Sequence, residues 1–390
     1  MNKKILLSTD IGSDIDDALS LLVMLNHSNI DLRGIYTVNG DVDSRSRIAK
    51  HMIDLAGKDI PVARGTSQPV GALVKPYTYS DLEKTLVNDK FIDFEKMERK
   101  GTYDEIIKPL KETGINTNGV KHLAEQLSKD KHTIFSIGPM TDIAQLLRKY
   151  PSAAKNIDKI YAMAGYFPAN DKMEHNFRFD STAAREVLAS DIPITLVPSD
   201  VCSLYSAFFD ELRDNFETPA GAYVKHMLLA YIGSKLIQEI NSYQERYSTL
   251  VSLLKDLIPH NICNLDEFDR LKRNQNYFIN NLDIETAYYE PEKFWEDFEE
   301  FNKQLENPKY KYNNGPKAVK IMKSLVPQKV AIHDVYVPYV FLHPERIITE
   351  KKTITSSEDG TTMVLPGEKH EIVTGFDIPH FKKFIKEYIR

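Results

Sequence analysis

Cysteine is scarce in this sequence, which has only Cys202 and Cys263 among 390 residues. The two lie far apart and without the close spacing of a metal site, so neither a disulfide framework nor a cysteine-bound metal is expected. Such scarcity is typical of a protein in a reducing compartment. We therefore expect a cytoplasmic location.

Long hydrophobic runs and an excess of positive charge are also missing. No apolar run approaches the ~20 residues that a membrane span requires, and the first residues show no signal-peptide core of useful length. The 56 acidic residues outnumber the 50 basic ones, for a net charge of −6, whereas a general nucleic-acid binder usually carries a basic excess. We expect neither a membrane nor a nucleic acid as partner, and a neutral small molecule fits this charge.

No internal repeat or low-complexity linker divides the chain, and hydrophobic residues make up 42% of it. Strand-like and helix-like apolar patterns alternate near the N-terminus, as in residues 5–7, 31–38 and 44–55. This alternation predicts an α/β fold with an open, mostly parallel, doubly wound sheet. We expect a single domain over residues 1–390, with a mainly helical insertion over residues 205–325.

Four carboxylates follow the first predicted strand within eight residues: Asp10, Asp14, Asp16 and Asp17. They lie at the carboxyl end of that strand and over the start of the first helix, where ligands bind in open α/β sheets. A solvated acidic helix start, favoured by the helix dipole, explains two of them. Four charges so close together repel one another unless a cation lies among them. Hard oxygen ligands suit calcium or magnesium, so the pattern indicates a metal site.

Two later stretches also combine polar residues with preceding buried strands. Residues 133–144 combine a strand, a Gly-Pro turn and a helix start. Farther along, Glu174 and Asn176 pair a carboxylate with a carboxamide, which together offer the acceptors and donors that a diol requires. Asp180 is expected to cap the next helix, since Asp is a preferred N-cap residue.

The last part of the chain is rich first in aromatic residues and then in strand patterns. Residues 277–312 predict an amphipathic helix that packs its aromatics, which is commoner than the alternative of a lid or an oligomer contact. The dipeptide His333-Asp334 follows a short apolar run. Residues 346–373 then predict a β-rich edge with a turn at Glu358-Asp359-Gly360, and residues 377–390 predict a closing helix.

Taken together, these stretches resemble the nucleoside hydrolases, the inosine-uridine-preferring N-ribohydrolase family. The usual first motif of that family is Asp-x-Asp-x-Gly-x-Asp-Asp-Ala, which Asp10, Gly12 and Asp16-Asp17-Ala18 match. Ser8 occupies the place of the first Asp. Two extra residues, Ser13-Asp14, precede the final Asp pair, and Asp14 inherits no role from the family.

The later motifs resemble the family in the same order along the chain. The matching positions are Gly40, Gly138, Pro139, Glu174, Asn176, Asp180, Ala183, Ala184, His333 and Asp334. One departure concerns Asp41, which stands where the family has an asparagine near the ribose. An ordinary turn aspartate is the alternative interpretation of this residue.

The resemblance implies calcium-dependent hydrolysis of the N-glycosidic bond of a ribonucleoside, giving ribose and a free base. It implies that the metal ligands are Asp10, Asp17, the backbone carbonyl of Ile137 and Asp334. It implies that the substrate is bound by Asp16, Asp41, Asn170, Glu174 and Asn176. Asp10 would accept a proton from the attacking water, and His333 would protonate the departing base. A homo-oligomer is expected.

Two other functions stay open at this point. A metal-dependent phosphohydrolase would use Asp10 as its nucleophile and would need a Lys and a Ser or Thr placed for phosphate, and no such loop is evident. A non-catalytic metal- and ribose-binding protein with the same fold stays open because of the departures at Ser8 and Asp41. Release of phosphate would indicate the first function, and calcium binding without cleavage of any nucleoside would indicate the second.

Overall fold

The computed structural model describes residues 3–71, 110, 112–167, 173–233, 235–236, 290–306, 323–324 and 326–390. One residue predicted to bind substrate, Asn170, lies outside these ranges. Much of the aromatic-rich range 277–312 also lies outside them.

Strands and helices alternate along the first half of the chain, as the apolar pattern predicts. They are β1 (Lys4–Thr9), α1 (Asp16–Asn26), β2 (Asp31–Thr37), α2 (Val42–Leu55), β3 (Val62–Arg64), β4 (Ile115–Asn116), α3 (Gly119–Lys129), β5 (His132–Ser136), α4 (Thr141–Lys149), α5 (Pro151–Ala154) and β6 (Ile157–Met163).

Shorter elements and a long hairpin make up the second half. They are α6 (His175–Phe179), α7 (Ser181–Ala189), β7 (Ile194–Val197), α8 (Ser199–Cys202), β8 (Ala207–Phe208), α9 (Phe209–Arg213), α10 (Pro291–Glu306), β9 (Lys329–Val330), a 3-10 helix (His333–Val335), α11 (Tyr336–Leu342), a second 3-10 helix (Pro344–Arg346), β10 (Ile347–Ser356), β11 (Thr362–Phe376) and α12 (Ile378–Tyr388).

One sheet contains nine of the described strands, in the order β10-β11-β7-β6-β5-β1-β2-β3-β4. Its strand pairs are parallel except for the antiparallel pair of β10 and β11 at one edge. This confirms the predicted open, mostly parallel, doubly wound sheet.

The centre of the sheet is the point where the strand order reverses. The chain runs outward from β1 through β2, β3 and β4, then returns to β5 on the other side of β1. Ser8 of β1 and Ser136 of β5 pair at the carboxyl ends of the two strands. Because connections leave these two ends in opposite directions, a crevice opens there, which is the usual ligand site of such folds.

The core explains why β1 and α1 are so apolar. Ile5, Leu6 and Leu7 of β1 are at most 1% exposed, as expected for a central parallel strand covered by helices on both faces. Helix α1 is buried along residues 16–25, including the two acids of its first turn. Asp16 and Asp17 lie in the first turn of this helix, over its start, as the sequence predicts.

Several local predictions agree with the structure. Asp180 caps α7, and its carboxylate accepts the Ala183 N–H. The turn at residues 358–360 connects β10 to β11, and Asp377 caps the closing helix α12. No helix in the described ranges is long and apolar enough to cross a bilayer.

The chain divides into two compact units, one formed by Met1–Val224 with Val330–Arg390 and the other by Lys225–Lys329. Within the second unit, α10 buries Phe294, Trp295 and Phe298, and Trp295 donates its indole N–H to the Leu229 carbonyl at 3.1 Å. The described aromatics of α10 are therefore packed side chains. The single domain with an insertion over residues 205–325 stays a prediction.

Candidate active site

The acidic loop after β1 brings buried carboxylates to the centre of the sheet. Asp10 follows the strand directly and is 6% exposed, and Asp16 and Asp17 occupy the first turn of α1. The carboxylates of Asp14, Asp16 and Asp17 each have an oxygen within 4.8 Å of the others. Asp14, the extra acid relative to the family motif, is exposed at this cluster.

Asp334, from the far end of the chain, contacts α1 near this cluster. It lies in the 3-10 helix His333–Val335, whose Asp334 carbonyl accepts the Ser20 hydroxyl of α1 at 2.9 Å. Burial raises the pKa of Asp334 well above its usual value, and the charges of Asp16, Asp17, Asp10 and Asp14 raise it further. The structure therefore brings Asp334 into the electrostatic field of all four N-terminal acids.

The same physical effects act on the two acids of α1. Burial raises the pKa of Asp16, and the neighbouring charges of Asp14 and Asp17 add to the rise. Burial also raises the pKa of Asp17, with the charges of Asp10 and Asp14, while a hydrogen bond from the Thr9 hydroxyl opposes the rise. Buried acids that repel one another in this way are neutralised either by protons or by a bound cation.

The donor atoms around this cluster fit a hard divalent cation. Of the predicted ligands, Asp10, Asp17 and Asp334 would offer carboxylate oxygens, and Ile137, directly after β5, would offer its backbone carbonyl. An all-oxygen set is what calcium and magnesium prefer, whereas zinc prefers nitrogen and sulfur.

The turn after β5 is shaped to accommodate Asp10. A Cβ on Gly138 would lie 2.9 Å from the Asp10 Oδ1 atom and 2.8 Å from the Val38 Cγ1 atom. Glycine is therefore required for the carboxylate to pack against this turn. The Ile137 N–H donates to the Ser8 carbonyl at 2.9 Å, which ties the β5 turn to β1.

Glu174 and Asn176 lie at the start of α6. Glu174 caps the helix and accepts the backbone N–H groups of Asn176 (2.8 Å), Phe177 (3.0 Å) and Gly165 (3.0 Å). Burial raises the pKa of Glu174, although these three hydrogen bonds favour its charged form. Asn176 is 5% exposed, and its Oδ1 has no hydrogen-bond partner among the described residues.

His175 connects α6 to the acidic loop. Its Nε2 lies 3.8 Å from the Asp10 Oδ2 atom, and its side chain is 38% exposed. Sequence reasoning gave this residue no role. The only signal for it was its position between the two predicted ribose-binding residues.

Asn39 is a second residue that sequence reasoning missed. Its carboxamide donates to the Asp10 Oδ2 atom at 3.1 Å, from a backbone with φ of +72°. The predicted residue, Asp41, instead caps α2, where it accepts the Ser44 N–H at 3.1 Å and the Ser44 hydroxyl at 2.6 Å. An asparagine directly after the second strand was the signal that could have identified Asn39.

His333 is partly buried beside the acids. Burial lowers the pKa of its imidazole, and the charge of Asp14 acts in the opposite direction. The His333 carbonyl lies 3.7 Å from the buried Cys202 thiol. A lowered pKa leaves the imidazole neutral near pH 7, with one ring N–H to donate.

Comparison with known proteins identifies relatives of this chain. The family model described as inosine-uridine preferring nucleoside hydrolase matches residues 5–383. The chain is 31% identical over 211 residues to the "Probable uridine nucleosidase 2" of Arabidopsis thaliana, a match that covers 51% of this chain and 60% of that protein. It is 30% identical over 202 residues to the "Non-specific ribonucleoside hydrolase RihC" of Salmonella paratyphi A, covering 50% and 61%. The matches thus span about three fifths of the length of these curated relatives.

Solved structures share the fold over nearly the whole chain. An inosine-guanosine nucleoside hydrolase superposes with a TM-score of 0.59 at 13% identity, covering 100% of this chain and 99% of that one. The purine-preferring ribonucleoside hydrolase from Gardnerella vaginalis gives 0.59 at 17% identity, covering 99% and 98%. The type III effector protein XopQ, solved with adenosine diphosphate ribose, gives 0.59 at 17% identity, covering 100% and 93%.

The family match, unlike these low-identity superpositions, depends on the sequence itself. It begins in β1 and ends in α12, and so includes both the acidic loop and Asp334. This chain belongs to the inosine-uridine preferring nucleoside hydrolase family.

Proposed function

We propose that this protein hydrolyses the N-glycosidic bond of ribonucleosides to ribose and a free base, with calcium as its metal. The observation that carries the proposal is the position of Asp334, whose buried carboxyl lies in the field of Asp10, Asp16 and Asp17. Residues far apart in sequence supply the acids of one site, which a solvated helix start does not require. Membership of the nucleoside hydrolase family supports the same reaction.

Asp10, Asp17, Asp334 and the Ile137 carbonyl would hold the cation. When bound, it supplies positive charge that balances the acids, orients the ribose diol and lowers the pKa of a water. Asp10 would accept the proton of the attacking water as the general base. The Asn39 carboxamide, at 3.1 Å from Oδ2, fixes the orientation of that carboxylate.

The remaining polar residues would bind the sugar. Breaking a ribosyl bond develops positive charge on the ring, which nearby carboxylates stabilise electrostatically. Asp16 and Glu174 supply acceptors, and the Oδ1 atom of Asn176 is a buried acceptor with no partner among the described residues. A substrate contact is also proposed for Asn170, and for Asp41 in addition to its role as the cap of α2.

His333 would assist the leaving group. Its neutral imidazole retains one N–H, which can donate a hydrogen bond to a ring nitrogen of the departing base. Transfer of a whole proton to the base requires the imidazolium form, which returns to the neutral ring when it gives up that proton. The neighbouring Tyr336 is fully buried, and its hydroxyl already donates to the Tyr205 carbonyl at 2.9 Å. His333 is therefore the better placed of the two to serve the base.

The names of the relatives support a riboside substrate and leave the base open. One is named for uridine, one for ribonucleosides without specificity and one for purine ribonucleosides. We also propose a homo-oligomer in the cytoplasm. The buried free thiol of Cys202 supports a reducing compartment.

A reducing-sugar assay tests the proposed reaction. The protein is stripped with a chelator and incubated with inosine, guanosine, adenosine, uridine and cytidine, with and without added calcium. Release of ribose only in the presence of the cation is expected. Phosphate release from phosphomonoesters without ribose release would indicate a phosphohydrolase, and calcium binding without any cleavage would indicate a non-catalytic binding protein.

A further inference from the structure

Arg45 is a buried residue of α2 whose guanidinium contacts the backbone of two loops at the candidate active site. Only 4% of the residue is exposed. Its Nε donates to the Asn39 carbonyl at 2.7 Å, and its Nη1 donates to the carbonyls of Ile11, at 3.1 Å, and of Asp10. Each of these three acceptors is a backbone carbonyl, so these bonds do not involve the Asp10 carboxylate.

The two loops carry side chains that contact each other. Asp10 follows β1 and Asn39 follows β2, the neighbouring parallel strand, and their side chains are joined by the 3.1 Å hydrogen bond. Asn39 has a φ of +72°, which residues other than glycine rarely adopt and which the surroundings must stabilise. Its N–H donates to the Thr66 carbonyl at 3.0 Å, and its own carbonyl accepts from Arg45.

We propose that Arg45 is a positioning residue for the hydrolysis. Its guanidinium fixes the backbones that carry Asp10 and Asn39, and so sets the contact between the proposed base and the carboxamide that orients it. This inference rests on the proposed function, in which Asp10 takes the proton of the attacking water. Arginine suits the task because its planar fork presents several donors in a rigid geometry and keeps its charge when buried.

If Arg45 acted only through its positive charge, a different result would be expected. Burial and the charges of Asp10 and Asp14 raise the pKa of Asp17, and the positive charge of Arg45 opposes that rise. If that charge were the whole role, lysine would serve at this position. Lysine places its donors on a single nitrogen, so it cannot reproduce the rigid arrangement in which Nε bonds one loop and Nη1 the other.

The first test compares Arg45→Lys with a matched control on the same helix. Arg47, whose side chain is 19% exposed, pairs with the carboxylates of Asp43 and Glu112, and Arg47→Lys is expected to leave the kinetics unchanged. Arg45→Lys is expected to lower kcat by roughly 10- to 100-fold, with a smaller effect on KM. The reason is that even a small displacement of a catalytic group slows the reaction steeply. Equal kcat for the two variants, per folded protein by circular dichroism, would overturn the proposal.

A double-mutant cycle shows whether Arg45 acts through Asn39. If it does, Arg45→Lys and Asn39→Ala disturb the same contact, and their combined loss in kcat is smaller than the product of the separate losses. A purely structural role would lower the melting temperature without this coupling in kcat. Losses that simply multiply would therefore refute a positioning role through Asn39.

Hydrogen exchange tests the same idea without any substrate or cation. The N–H groups of Asn39 and Gly40 donate to the carbonyls of Thr66 and Ser67, each at 3.0 Å. Arg45→Lys is expected to speed exchange at these two amides relative to β5, whereas Arg47→Lys is not. If the wild-type protein cleaves no riboside, the proposed function fails, and this exchange measurement alone decides whether Arg45 holds the turn. Unchanged exchange would overturn the inference.

Discussion

The Asn176 carboxamide donates a hydrogen bond to the Ile137 carbonyl at 3.1 Å. It also donates to the Met163 carbonyl at 2.9 Å. Because both partners are acceptors, Nδ2 faces them and Oδ1 faces the other way, without a partner among the described residues. One side chain thus connects the proposed ribose-binding segment to the proposed cation ligand at the end of β5.

Replacing Asn176 tests this connection. Asn176→Ala removes two donors from buried carbonyls and the free acceptor, and losing such interactions is typically worth about 1–3 kcal/mol. We expect kcat/KM for ribosides to fall by a corresponding ~5- to 150-fold. Asn156→Ala is the control, because Asn156 also donates to a backbone carbonyl, that of Leu127 at 2.9 Å. Equal kcat/KM values for the two variants would contradict a substrate role for Asn176.

The sugar hydroxyls provide a second test. Glu174 and Asn176 are both buried and offer acceptor atoms, and a site built to bond a hydroxyl rejects an analogue that lacks it by as much as ~10⁴-fold. We expect 2′-deoxyribosides to be cleaved far more slowly than ribosides with the same base. Equal rates for inosine and 2′-deoxyinosine, measured by base release, would contradict the ribose-binding assignment.

His333 should matter in proportion to the needs of the leaving group. We expect His333→Ala to slow natural nucleosides, whose bases need a proton, much more than an activated aryl riboside that leaves unaided. The measurement is the ratio of wild-type to variant kcat for each substrate. If the aryl riboside were slowed as severely as inosine, His333 would be a structural neighbour of Asp334 and nothing more.

Asp142, in the first turn of α4, makes the stability of the fold depend on pH. It is fully buried, its Oδ1 accepts the Thr66 N–H at 2.8 Å, and burial raises its pKa from 3.8 to about 6. The folded protein therefore holds this proton more tightly than the unfolded chain. The stabilisation that comes from this proton is complete below pH 3.8 and is lost as the pH rises through 6.

Asp142→Asn removes this dependence because an amide does not titrate. Two pH units of pKa shift correspond to about 3 kcal/mol, so the wild type should lose about that much unfolding free energy relative to the variant between pH 4 and pH 7. Urea unfolding of both proteins across this range is the measurement. If the difference in unfolding free energy between the wild type and the variant stayed constant across this pH range, Asp142 would not titrate as described.

The sequence predicts site residues best where a single local stretch contains both the strand pattern and the residues of the site. An apolar strand followed by clustered acids indicates the end of β1 without any knowledge of the rest of the fold. The placement of Asp334 beside those acids depended on the order of motifs shared with the family, since no local pattern connects it to Asp10.

The missed residues depend on backbone geometry that the sequence shows only weakly. Whether Asn39 or Asp41 faces the acids is decided by the positive φ at residue 39 and by the capping of α2. The three hydrogen bonds from Arg45 to backbone carbonyls are equally difficult to predict from sequence, because any residue supplies a carbonyl. Contacts of this kind follow from the chain path and not from residue types.

The central claim is that Asp10, Asp17 and Asp334 hold one cation and that Asp10 also serves as the base. The most direct test is the rate of ribose release from inosine and uridine by chelator-stripped protein as calcium is added back, for the wild type and for Asp10→Asn. We expect no release without calcium, full recovery in the wild type, and a loss of at least ~10²–10⁴-fold in Asp10→Asn at every calcium concentration. Undiminished activity in the stripped wild-type protein, or in Asp10→Asn, would contradict the account.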